Sequence, residues 1–80
     1  MNIEQAGNIS DEVVNFLRQE RIRQGISRYK LAKDCGLSKT SIAYIENFEN
    51  KPTLRSLLMI AECLKVDLGK LITEITADTK

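Results

Sequence analysis

Histidine is absent from this 80-residue chain, and there are only two cysteines. Without histidine the commonest general base is missing, and Cys35 and Cys63 alone make a poor metal site. The sequence has no glycine-rich phosphate loop and no carboxylates at metal-ligand spacing, and Ser38 and Ser41 have no base partner. An enzyme is not expected, nor are a metal, a cofactor or a small-molecule effector. Long apolar runs are lacking too. The longest, Leu57 to Ala61, is far too short to span a bilayer, and nothing resembles a signal peptide. A cytoplasmic protein without membrane contact is the expectation. No strand pattern, repeat or low-complexity tract is present. Eighty residues allow one domain with a modest core, without room for a second, sensing domain. Both cysteines lie in apolar helical patterns and read as reduced core residues, with a disulfide between helices as the alternative.

The strongest positive signal is SRYKLAKDCGLSKTSIAYI, Ser27 to Ile45. Leu31 and Ala32 share one face of a short helix. Gly36 falls where the chain must turn sharply, and only glycine takes positive φ there freely. Ile42 and Ile45 give a second short helix an inward face. A steep helix pair of this kind, with small Ala32 at the crossing, is the layout of a DNA-reading helix-turn-helix.

Caps set the remaining boundaries. Residues 1–9 carry no sustained period and are expected to be a flexible arm. Ser10 caps a first helix whose face is Val13, Leu17 and Arg21, and Gly25 stops it. Ser27 caps helix two, to about Cys35, and Ser38 caps helix three, to about Glu46. Thr53 caps helix four, to about Leu64, which is apolar on nearly all sides and should be the most buried. Asp67 caps a short fifth helix with Leu68, Leu71, Ile72 and Ile75 at helical spacing. Residues 10–76 then form a single all-α, compact five-helix bundle, and residues 77–80 a frayed tail. Charge is uneven along this plan. Arg18 to Arg55 holds nine basic and four acidic residues, a balance of +5, against −4 for the three basic and seven acidic residues elsewhere. A basic middle suits a phosphate-facing surface, although so small an excess would otherwise read as an ordinary solvated face.

From about Val13 to Ile72 the chain resembles the phage-repressor and Cro-like helix-turn-helix family, also called the XRE family. The matching elements are LRQERIRQGIS, LAKDCGLSKTSIAYIE and KPTLRSLLMIAECLKV, in order and at the right separations. The resemblance implies a lambda-repressor-like DNA-binding domain that works as a dimer on a two-fold symmetric operator. It places Lys39, Thr40, Ala43 and Tyr44 on the base-reading face, where lysine can donate to guanine and the threonine methyl can meet a thymine methyl. The alternative for Lys39 and Tyr44 is an ordinary exposed face. It also suggests phosphate contacts from Arg28, Lys30, Ser41, Asn47, Asn50, Lys51 and Arg55. For the two asparagines, turn chemistry weighs equally. Arg28 stands where the family usually has a glutamine that binds phosphate and buttresses the reading helix, so it is expected to hold phosphate more strongly and to buttress differently. Lys30 stands where the family usually has an acid. Cations in a first helical turn oppose the helix dipole at about 0.3–1 kcal/mol each, a penalty that a docked phosphate would reverse. Arg21 and Glu46 match a structural ion pair.

One departure stands out. Phe48 replaces the glycine that usually follows the reading helix. Positive φ at a bulky residue costs about 1–2 kcal/mol, so Asn47 or Asn50 is expected to turn left-handed instead. Phe48 is left open as a core plug, a partner contact or a ribose contact. The expected function is a sequence-specific transcriptional regulator, controlled by its own concentration as in phage repressors or restriction–modification controllers. It binds double-stranded DNA as a homodimer, with Leu68, Leu71, Ile72 and Ile75 expected at the dimer interface. The rivals are an antitoxin, which would also bind a toxin protein, and a scaffold that has lost DNA binding.

Overall fold

The structure is a computed structural model that describes residues 1–78. Among these it has five helices and no strand: α1 (Ile3–Arg23), α2 (Arg28–Cys35), α3 (Lys39–Glu46), α4 (Leu54–Cys63) and α5 (Leu68–Asp78). All five start the same way. A short polar side chain before the first turn accepts the amide three residues on, at Asn2 (2.8 Å), Ser27 (3.0 Å), Ser38 (3.0 Å), Thr53 (3.1 Å) and Asp67 (3.0 Å).

Four of these caps are the expected ones and the first is not. Helix α1 begins at Ile3, so residues 1–9 are not a flexible arm and Ser10 lies inside the helix. Asn2 and Gln5 form a reciprocal capping box, with Gln5 Oε1 accepting the Asn2 amide at 2.9 Å. Ile9 is buried, which adds tertiary support. Together these outweigh the roughly 1 kcal/mol that Gly7 costs in a helix. At the other end, Ala77 and Asp78 continue α5 rather than fraying, because Ile75 and Thr76 are still half-buried on the body of the domain. Positions 79 and 80 lie outside the described residues.

Three helices close with one hydrogen-bond pattern. After α1, Gly25 N–H donates to Ile22 O and Ile26 N–H to Arg21 O; after α3, Phe48 N–H to Ile45 O and Glu49 N–H to Tyr44 O; after α4, Lys65 N–H to Glu62 O and Val66 N–H to Ala61 O. The left-handed residue is Gly25 (φ 71°), Phe48 (φ 61°) and Lys65 (φ 59°) in turn. Phe48 therefore takes the conformation expected of Asn47 or Asn50. The paired bonds satisfy the last carbonyls of α3, and its buried Ile45 and Glu46 hold that turn in place against the backbone penalty.

The core draws on every helix, centred on Val13, Leu17, Leu31, Ile42, Leu64 and Leu68. Helix α4 is not the most enclosed element. Leu57, Ile60 and Ala61 are buried, while Leu54 and Leu58 project from its outer side with 64% and 52% exposure. Helix α5 packs along α1. Leu68 and Leu71 are buried within the domain, which corrects their expected place at a dimer interface, and Ile72 and Ile75 are half-buried. Leu68 and Leu71 belong to the same core cluster as Val13 and Leu17 of α1. Both cysteines are free thiols. Burial, with Cys35 beside it, pushes the Cys63 thiol above its usual range. No helix among the described residues is long and apolar enough to cross a membrane.

Candidate nucleic-acid interface

Helices α2 and α3 meet through the turn at Gly36 (φ 80°), where Gly36 and Leu37 both donate to Ala32 O. Ala32 is buried, as the close crossing requires. Helix α3 turns Ile42, Ile45 and Glu46 inward. Lys39, Thr40 and Tyr44 are left exposed and Ala43 partly so, making one outward row. Tyr44 is 44% exposed.

The inward side of α3 is fixed by a charged clamp. Arg21 donates to both Glu46 oxygens, Nε to Oε2 at 2.8 Å and Nη2 to Oε1 at 2.9 Å, and its Nη1 donates to Ile26 O at 2.7 Å. Arg28 adds Nε to Glu46 Oε1 at 2.9 Å and Nη2 to Asn47 Oδ1 at 3.0 Å. Glu46 is thus a buried carboxylate with three charge-assisted bonds, and its clamp carries one net positive charge. The two arginines come from α1 and from the first turn of α2, so the carboxylate pins the reading helix to both. It also lies close enough to the start of α2 to offset the cost of a cation there.

This placement revises part of the expected phosphate set. Arg28 is turned onto Glu46 and Asn47 instead of standing free. Lys30 pairs with Asp34 one turn along α2 (2.9 Å), a spacing that relieves its position without a phosphate. Lys51 pairs with Asp11 (2.7 Å) and lies over Gly7, tying the α3–α4 loop to the early turns of α1. Two of the other candidates converge beside Lys51. Ser41, Asn50 and Lys51 line a shallow groove of about 150 Å³ with Leu37, Pro52, Thr53 and Ser56, beside the start of α4. Lys39 and Arg55 are exposed and pair with no acid among the described residues.

Arg28 buttresses the reading helix, as expected in outline; its partners Glu46 and Asn47 were not foreseen, because residues 28 and 46 are linked only by the fold. The Lys30–Asp34 pair was legible as an i,i+4 spacing. Away from the interface, Arg23 donates twice to Glu20 at 2.6 Å on the surface of α1. That guanidinium, helped by Gln24, lowers the Glu20 carboxyl to about 2, and the carboxylate in turn raises Arg23.

A family profile described as Helix-turn-helix matches residues 17–71, more than half of the chain, with α2 and α3 wholly inside the match. Comparisons with curated proteins and with solved structures returned no match. The tight turn at Gly36, the capped and clamped second helix, its outward polar row and the matching profile agree. The chain belongs to the helix-turn-helix family of the XRE, phage-repressor and Cro-like kind, and is a DNA-binding transcription regulator.

Proposed function

We propose that the protein binds a two-fold symmetric operator as a homodimer, with α3 in the major groove, and is regulated by its own concentration. The observation that carries this reading is the outward row of α3 backed by a buried clamp. Lys39, Thr40, Ala43 and Tyr44 project from a helix whose inner side is immobilised by Ile42, Ile45 and Glu46. Lys39 donates to guanine, Thr40 and Ala43 meet thymine methyls, and Tyr44 meets a methyl or a phosphate. Ser41, Asn50 and Lys51 receive the backbone from the groove beside the start of α4, and the exposed Arg55 adds a cation on that helix.

The partner is a second copy, because two reading helices one DNA turn apart, about 34–36 Å, are what a two-fold operator requires. With Leu68 and Leu71 in the protomer's core, the contact draws on Ile72 and Ile75 and on the exposed Leu54 and Leu58. Sedimentation at micromolar concentration should show a dimer, and Leu58→Glu, an exposed position, should shift it to monomer. A monomeric wild type at that concentration overturns this interface.

Base reading is tested on sequences recovered from a random duplex pool. Lys39→Ala should cost about 1–3 kcal/mol on the selected site and little on random DNA, whereas Arg55→Ala should weaken both and shallow the salt slope by about one unit. Equal loss on selected and random duplexes in Lys39→Ala would remove Lys39 from the reading set.

A further inference from the structure

Asn47 stands one position past α3. Helical spacing continues the exposed row through it, three residues after Tyr44 and four after Ala43. Its side-chain carbonyl is taken: Arg28 Nη2–H donates to Oδ1 at 3.0 Å. A guanidinium has donors only, so the amide cannot turn over while this bond stands, and the amide NH2 is held on the side away from Arg28. Arg28 is itself held, because its Nε donates to Glu46 Oε1, which Arg21 also grips. The contacts run Arg21, Glu46, Arg28, Asn47, from the buried interior to the exposed end of the reading row.

We infer that Arg28 is a positioning residue, and that it aims the Asn47 side-chain N–H outward to donate to a backbone phosphate of duplex DNA. The inference rests on the DNA-binding reading above. It makes a specific electrostatic statement. A neutral amide on a phosphate adds affinity without displacing a counterion, whereas an arginine on that phosphate would displace one.

The test is fluorescence anisotropy of the full chain on a duplex recovered from the random pool, between 50 and 200 mM salt, with a thermal melt of each variant. Asn47→Ala and Arg28→Met should each weaken binding about tenfold with the wild-type salt slope, as for one lost hydrogen bond to a charged group. The double variant should bind no more weakly than Asn47→Ala. Asn47→Asp should keep the Arg28 contact and a wild-type melt, yet bind more weakly than Asn47→Ala, because it offers no donor and repels the phosphate. Arg28→Lys keeps the charge without the two-point geometry and should lose the same tenfold, which covers the case in which Arg28→Met fails to fold. A slope shallower by about one unit in Arg28→Met would put the arginine itself on the phosphate. Multiplying losses in the double variant, or wild-type binding by Asn47→Asp, would equally overturn the inference while leaving the DNA reading intact. Failure of the wild type to bind any duplex would overturn both.

Discussion

The ends of α1 and α3 are built from the same parts. Each has a glutamate accepting two N–H bonds from an arginine: Glu20 from Arg23 at 2.6 Å, and Glu46 from Arg21 at 2.8 and 2.9 Å. Each closes with a left-handed residue and the same pair of backbone bonds, at Gly25 and at Phe48. They differ in burial and in the residue that turns. The Arg23 side chain is 70% exposed, while Arg21 and Glu46 are 11% and 7% exposed. Glu20 and Arg23 lie three residues apart on one helix, whereas Glu46 joins three helices. Shorter bonds do not make the more important pair. Water competes for the exposed one, and removing a partner from the dry one strands a charge.

The largest effect that should separate the two ends is at the carboxylates. Glu46→Gln should destabilise by about 3–5 kcal/mol, because two arginines then share a buried neutral amide. Glu20→Gln should change the melting temperature no more than an ordinary surface substitution. Chemical denaturation of both variants checks the contrast, and equal losses would erase it. A double-mutant cycle with Arg21→Met should show strong coupling at Glu46; strict additivity would mean that the two side chains do not act together.

The turning residues should respond with opposite signs. Gly25→Ala should destabilise by about 1–2 kcal/mol from backbone strain. Nothing lies within 4 Å of an added Cβ at Gly25, so no clash contributes. Phe48→Gly should relieve that strain at α3 and stabilise by about 1 kcal/mol, raising the melting temperature by about 4–8 °C in a domain of this size. Thermal melts of the two variants decide it. A Phe48→Gly protein less stable than wild type would mean that the half-exposed ring supports the fold.

The smallest effect is the acid response of Glu20. Its folded pKa of about 2 lies below the ordinary 4.5, so its contribution is fully present above about 4.5 and is lost as pH falls toward about 2. The partner Arg23 is 70% exposed, and water and salt screening there keep that contribution small. Stability curves of wild type and Glu20→Gln should therefore coincide at low pH and separate slightly above pH 4.5. A gap that persisted at pH 2 would contradict this linkage.

Much of the site was readable because it is local. Ser27, Ser38, Thr53 and Asp67 each act on an amide three residues away, and Gly36 supplies its own positive φ. The outward row of α3 follows from Ile42 and Ile45 pointing in. The start of α1 was missed although its Asn2–Gln5 box is also local, because Gly7 and Asn8 weaken the helical pattern that burial of Ile9 restores. Phe48 was misjudged for a related reason. Its backbone cost is local, while the buried Glu46 and Ile45 that fix the helix end belong to the fold.

Cap identities, the helix-turn-helix spacing and the inward and outward faces of α3 are properties of the sequence by itself, since each depends on residues within about one helical turn. The tertiary structure alone decided that Arg28 joins Arg21 on Glu46, that Lys51 reaches Asp11, and that Leu68 and Leu71 sit in the protomer's core. Those outcomes depend on which helix lies against which. Helix order along the chain does not specify that, because burying the apolar faces of five helices together sets it.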